Sequence, residues 1–358
     1  MPEHRNLSFQ NFIESVQPSL LDQYFLRLLQ WEQLPSGFTG MDPDYVLLLL
    51  DQVEEPVRAI VLEDFRRIND ICQRDLGLPF VAAGRFDVPV MPEQKPQTTA
   101  MKLFLDHPRA FNFAWALYSY QASWGNISQH WLQRPEIKAD SEHITSFANE
   151  QERFFADRNQ GTECRVSFYD DDPKLLILVL HGSHIRTVTC WQGRELAMNS
   201  FRPACEDVLV YDKRRAVLSV KASGRADREH YVRSFAELVL GSESLADSPQ
   251  RDLIYTLEPL REDSFAWSSS SNITAVELIE AKLRLPHPGP PVVIINGDGI
   301  DLSQGEVVAV KLRFTANENG KQESIVGTIT PPCVTDLVKK RHAEVVCEYL
   351  RQKGILLR

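Results

Sequence analysis

The 358-residue sequence holds no short string that fixes a reaction. It has no GxxxxGKS/T loop to cradle nucleotide phosphates and no GxGxxG between strand and helix, which sets aside the common nucleotide-binding engines. It also lacks a GxSxG nucleophile elbow and an HExxH zinc helix, so the commonest serine and zinc hydrolases are not expected. The six cysteines, Cys72, Cys164, Cys190, Cys205, Cys333 and Cys347, include no CxxC pair. A chain of this size does not depend on disulfides, and they read as reduced thiols in a cytoplasmic protein. The longest apolar runs, Val46–Leu50 and Leu175–Leu180, are far short of the ~20 residues a membrane helix requires. The opening MPEHRNLSFQ lacks a basic stretch followed by an apolar one, so no secretory signal is expected, and no internal repeat is visible.

The composition is that of a folded globular chain, with 43% hydrophobic and 25% charged residues. There are 39 Lys and Arg against 49 Asp and Glu, a net charge of −10, so any nucleic-acid contact must be regional.

Apolar spacing of three and four residues dominates up to about residue 158. Leu21, Tyr24, Phe25, Leu28 and Leu29 share one helical face after Pro18. A second helix is expected after Met41, with Asp42 as cap and Pro43 in the first turn. A third begins at Pro56 with the stripe Val57, Ile60, Val61, Phe65, Ile68 and Ile71. Residues 83–99, with three prolines, read as a loop. The strings AFNFAWALYSYQASW and HITSFANEQERFF read as further helices. The aromatics Phe111, Phe113, Trp115, Tyr118, Tyr120 and Trp124 are expected to be core. A base-stacking platform would interleave Lys or Arg, and none occurs from Phe111 to Gln133.

From Cys164 the apolar period drops to two. RVSFY, LLILVL, IRTVTCW, DVLVY and AVLSVK predict an antiparallel meander, with Gln192 and Gly193 as a hairpin turn. A helix from about Ala226 to Leu240 then covers it with Tyr231, Phe235 and Leu238. Leu253–Leu257, Ile273–Leu285, VVII, VVAVKLRF and ESIVGTIT predict a second, smaller sheet. A closing helix is capped by Thr335 or Asp336 and ended by Gly354. The expected organisation is therefore α+β: a helical domain over 1–158, an antiparallel sheet with a covering helix over 159–250, and a small sheet with a C-terminal helix over 251–358.

Several patterns can be tested for chemistry. In NGDGIDLSQGE a calcium loop would place Gly at Asp301 and Glu at Val307, so turns are the better account. His181 and His184, with Cys164, Cys190 and Cys205 nearby, do not by spacing converge on a zinc ion, and no metal is expected there. The hairpin DVLVYDKRRAVLSVKA resembles the PD-(D/E)xK arrangement of magnesium-dependent nucleases, with Asp207 or Asp212 as first acid and Lys221 as the lysine. Ser219 stands where the second acid belongs, so a carboxylate such as Glu206 or Glu237 would have to replace it, and magnesium is implied only under this alternative.

Basic residues concentrate twice. There are eight Lys or Arg against five acids from Arg202 to Arg233, and six against three from Thr335 to the end. Lys213, Arg214, Arg215, Lys339, Lys340 and Arg341 are accordingly the candidate phosphate contacts, the last three on a helix following a β-hairpin.

FRPACEDVLVYDKRRAVLSVKA with its following SFAELVLG, and the closing ITPPCVTDLVKKRHAEVVCEYLRQKGI, resemble segments of uncharacterised bacterial proteins of similar length. The resemblance covers about a third of the chain and carries no reaction. It implies, by association with multi-gene systems, a role in phage defence or genome maintenance. The leading expectation is a non-catalytic adaptor or recognition subunit that needs no cofactor and binds a protein partner through the helical half, with the basic patches as a candidate nucleic-acid contact. The alternative is the nuclease with a displaced acid.

Overall fold

The computed structural model describes residues 9–29, 46, 50, 54–73, 77–91, 93–122, 127–133, 137, 141–192, 195–262, 264–285, 292–295, 302–318 and 321–358. The chain is α+β and divides into two compact units, Met1–Trp124 and Gly125–Arg358. No described helix is long and apolar enough to cross a membrane. The division falls ahead of residue 158 because the strand Ile127–Trp131 and the helix Ser141–Asp157 pack into the second unit.

In the first unit the described helices are α1 (Phe9–Ile13), α2 (Pro18–Leu29), α3 (Glu55–Asp70), α4 (Leu78–Arg85), α5 (Pro96–Asp106) and α6 (Pro108–Gln121). Each of α3 to α6 carries proline in its first turn, where the missing N–H has no intrahelical acceptor to lose. The stretch expected as a loop over 83–99 is non-helical in its described residues between Arg85 and Pro96, with the end of α4 and the first turn of α5 at its two ends. The core is aromatic: Tyr24, Phe12 and Phe25 surround Phe65, with ring centroids 4.9–6.0 Å apart. Tyr24 donates to Asp64 at 2.9 Å. Ile60 of the expected stripe is 51% exposed, while Val61, Phe65, Ile68 and Ile71 are fully buried. Phe111, Phe113, Trp115 and Tyr120 are buried as expected, and the Arg67 guanidinium lies 4.7 Å over the Trp115 ring. The helix expected after Met41 lies outside the described residues except Val46 and Leu50, both buried.

The second unit is built on one ten-stranded sheet, not two sub-sheets, in the order β2-β3-β6-β7-β1-β12-β11-β10-β8-β9. Its strands are β1 (Ile127–Trp131), β2 (Cys164–Asp171), β3 (Lys174–Gly182), β6 (Ala204–Asp212), β7 (Val217–Lys221), β8 (Ile273–Arg284), β9 (Val292–Ile295), β10 (Glu306–Glu318), β11 (Lys321–Thr330) and β12 (Val334–Thr335). All pairings are antiparallel. The strand joining the two halves is β1, in the stretch that the sequence presents as helical. ISQHW is too short and polar to show a period, yet it pairs with β7 on one side and β12 on the other.

Alternation along β1 assigns the two cores to opposite faces. Ser128 and His130 register with Val220 and Leu218, beneath α7 (Ser141–Asp157) and α8 (Arg225–Ser234), whose Phe147, Phe155, Tyr231 and Val232 cover Ile177, Val179 and Leu209. Ile127 registers through Thr335 with Ile329 on the other face, where α9 (Ala343–Gln352) lays Val346, Tyr349 and Leu350 over Leu312 and Phe314. Each such fully buried side chain contributes roughly 1.5–3 kcal/mol.

Two expectations shift for local reasons. The covering helix widens into a π turn at Phe235–Val239, with Leu240 N–H donating to Phe235 O, so Val239 and Leu240 are fully buried and Leu238 only half-buried. The closing helix begins at Ala343, not at Thr335 or Asp336. Thr335 is spent in β12, Asp336 Oδ1 accepts from Thr328 N at 2.6 Å, and His342 stands at φ 60°. Gly354, at φ 70°, ends that helix as expected. The expected strand over Leu253–Leu257 makes only an isolated bridge, Tyr255 to Leu356.

Candidate recognition ribbon and groove

The strands β4 (Arg186–Gln192) and β5 (Glu195–Phe201) form as the alternation predicts but leave the main sheet. The reason is in the register of their neighbours. β3 pairs with β6 without interruption from Lys174 opposite Asp212 to Gly182 opposite Ala204, leaving no edge for the intervening segment to join. The β4–β5 segment therefore folds on itself, Arg186 opposite Phe201 through Gln192 opposite Glu195, as an insertion in the β3–β6 hairpin.

This ribbon exposes apolar side chains on both faces. Ile185 is 62% exposed, Trp191 69%, Leu196 62% and Met198 77%. Of fifteen large hydrophobic residues that are exposed among those described, six lie between 185 and 201, so the exposure is a local patch, not scattered surface. The register brings Trp191 opposite Leu196 and Thr189 opposite Met198 on one side, with Val188 and Phe201 on the other. Polar anchoring is slight: Thr187 and Ser200 share a hydroxyl contact of 2.8 Å.

The base of the ribbon is, by contrast, tightly held. Ser183 N–H donates to Pro203 O at 2.8 Å, and Arg202 Nη1 donates to Asn159 O at 2.7 Å and Ser183 O at 2.6 Å. The Arg202 stem runs over Gly182, where a Cβ would lie 2.6 Å from Arg202 Cδ and 2.2 Å from Gln160 O. A groove of about 720 Å³ opens here, walled by Gln160, Arg165, Leu180, His181, Arg202 and Pro203. Behind it the His181 ring stacks on Phe155 at 3.7 Å, with Nδ1 2.8 Å from Gly182 O and Nε2 3.0 Å from Asp207 Oδ2. The same Asp207 oxygen accepts from Tyr231 Oη at 2.9 Å. Burial, reinforced by that carboxylate, holds the Tyr231 phenol well above its ordinary pKa, so the hydroxyl stays a donor.

The candidate nuclease residues do not converge. Lys221 registers with Val208, so it shares a face with Glu206 and Asp212, while Asp207 points to the opposite face into the His181–Tyr231 contact. Asp212 lies four residues further along, roughly 13 Å at strand rise, where its Oδ1 accepts from Arg214 N and Arg215 N. Burial lowers the Lys221 pKa, opposed by Glu206 and Asp207. Among the candidate phosphate contacts, Lys213 pairs with Asp170 at 2.5 Å, Lys340 with Asp336 at 3.5 Å and Arg341 with Glu323 at 2.9 Å. Arg215 reaches Asp212 at 4.0 Å, Arg214 is exposed at the turn, and burial lowers the half-buried Lys339.

All six cysteines are free thiols, and Cys164, Cys190, Cys205 and His184 form no metal-holding group with His181 among the described residues. The calcium-loop string begins outside the described residues. The exposure of Trp191, Leu196 and Met198 could not be read from sequence, because an alternating apolar strand looks the same whether its face is covered or bare. No protein-family model matches the chain, and no curated protein matches its sequence.

Proposed function

We propose that the chain is a non-catalytic recognition subunit of a bacterial multi-protein system, and that it docks a protein partner on the β4–β5 ribbon. One observation carries this reading: a two-stranded ribbon that exposes Ile185, Trp191, Leu196, Met198 and Phe201 to water. Apolar side chains at such exposure are costly in solution, and aromatic and Met side chains are enriched in the centres of protein interfaces. A tryptophan buries about 150–250 Å² when fully covered. Covering the exposed 69% of Trp191 therefore offers roughly 3–4 kcal/mol at about 25 cal/mol per Å². That is hot-spot magnitude. The groove at the ribbon's base, lined by Glu163 as well as Arg165 and Arg202, suits a polar element of the same partner.

The test is a photo-crosslinking side chain placed at Trp191 in living cells, with the same group at the exposed Glu243 as control. The expected result is a discrete protein adduct from position 191 that disappears when Leu196→Glu and Met198→Glu are added. Equal labelling from both positions, or an adduct indifferent to the two substitutions, overturns the reading.

A further inference from the structure

We infer that His130, Asp252 and Cys333 form a binding site for one divalent transition-metal ion of the zinc class. The three come from separate segments: β1, the irregular strap that follows Gln250, and the turn before β12. Their ligand atoms nevertheless lie within 4.8 Å of one another. His130 is 3% and Cys333 9% exposed, while the Asp252 side chain is 33% exposed, so two of the ligands are interior and the third reaches the cluster from the solvent side.

The surroundings already have the form of an outer shell. Ser128 Oγ meets His130 Nε2 at 3.0 Å, which fixes the ring and leaves Nδ1 facing Asp252 Oδ1 at 2.7 Å. Arg251 clamps the same carboxylate through Nε at 2.7 Å and Nη2 at 2.8 Å, and is itself balanced by Glu229 at 3.0 Å. Zinc bonds of about 2.0 Å to N and O and about 2.3 Å to S give tetrahedral ligand separations of roughly 3.3–3.6 Å. Admitting the ion thus opens the His130–Asp252 contact by about half an ångström. Thiolate and carboxylate neutralise the two charges of the ion, the Cys333 proton leaving to solvent, and a sulfur ligand selects zinc-like ions over magnesium or calcium.

Ser128, His130 and Asp252 also stand in the order of a serine-hydrolase triad. Ser128, however, is 3% exposed, and its strand is paired on both sides with β7 and β12, which leaves no room for a substrate carbonyl.

The test titrates the full chain, freed of metal by a chelator, with cobalt(II) as a spectroscopic stand-in and then with zinc. One equivalent is expected, with a sulfur-to-cobalt charge-transfer absorption. Cys333→Ser should abolish that band and weaken binding at least about 100-fold, and Ser128→Ala should weaken it about 10-fold. Should Cys333→Ser fail to fold, alkylation of the native chain decides: zinc must slow labelling of Cys333 at least about tenfold against chelator while Cys190 is unaffected. Absence of stoichiometric binding, a band that survives Cys333→Ser, or equal protection of all thiols overturns the inference.

Discussion

Removing the Asp207 carboxylate should cost far more than its single charge suggests, and should reverse the effect of a second substitution. Asp207 is 4% exposed, and its Oδ2 takes both the Tyr231 hydroxyl at 2.9 Å and His181 Nε2 at 3.0 Å. Asp207→Ala therefore strands two buried polar groups, each at about 1–3 kcal/mol, giving roughly 3–5 kcal/mol for the site. Tyr231→Phe alone deletes one bond and leaves Asp207 with His181, for about 1–1.5 kcal/mol. In the Asp207→Ala background the hydroxyl has lost its acceptor, so Tyr231→Phe should be neutral or stabilising there. The cycle is measured by urea titration followed through hydrogen exchange at β3 and β6 amides, which isolates this sheet from the helical unit. Equal costs of Tyr231→Phe in both backgrounds would refute the argument, since additivity means that the hydroxyl does not rest on that carboxylate.

Two other perturbations follow from the same region. Burial, with the Arg158 charge adding to it, depresses His230 from its ordinary 6.5 to about 4, its ring stacked on Phe154 at 3.7 Å. Because the unfolded chain takes up the proton first, stability should fall as pH drops from about 6.5 towards about 4 and level off below. The full shift corresponds to roughly 3 kcal/mol, reduced to about 1–2 kcal/mol because part of the ring meets solvent; unfolding measured at several pH values should show His230→Phe without that acid-side loss. Gly182→Ala forces a methyl against Gln160 O and the Arg202 stem, and should lower stability by about 1–3 kcal/mol in a thermal melt, whereas Gly84→Ala, at an exposed helical position with open space around it, should raise stability by about 0.5–1 kcal/mol.

Much of the layout was legible because alternation and helical spacing are local signals. Every strand from β2 to β7 and the stripe of α3 can be counted from the residues alone. What could not be read depends on partners distant in sequence. β1 is defined by Leu218 and Val334 on its two sides, not by any period of its own. The π turn after Ser234 moves the buried face by one position, which no fixed 3.6-residue count anticipates. The His130 cluster joins residues 122 positions apart, and the Asp207 contact joins β3, β6 and α8. Its neighbours in the hairpin make Asp207 a candidate acid by sequence. The pleat instead turns it towards His181, where its role is to hold an interior network.

The placement of that network explains how an apolar ribbon can be tolerated at all. An isolated two-stranded ribbon is marginal in water, and β4–β5 has neither a third strand nor a covering helix among the described residues. Its position must therefore be imposed from its ends. Those ends are the best-anchored points of the hairpin: uninterrupted β3–β6 pairing, the Ser183–Pro203 closure, and Arg202 drawn to two carbonyls across Gly182. His181 stands between that base and the buried Asp207–Tyr231 pair, so the exit direction of the ribbon is tied to the packed face under α7 and α8. Under the proposed docking, a ribbon held this way would have little orientational freedom left to lose, which would lower the entropic cost of binding without burying the exposed apolar side chains beforehand.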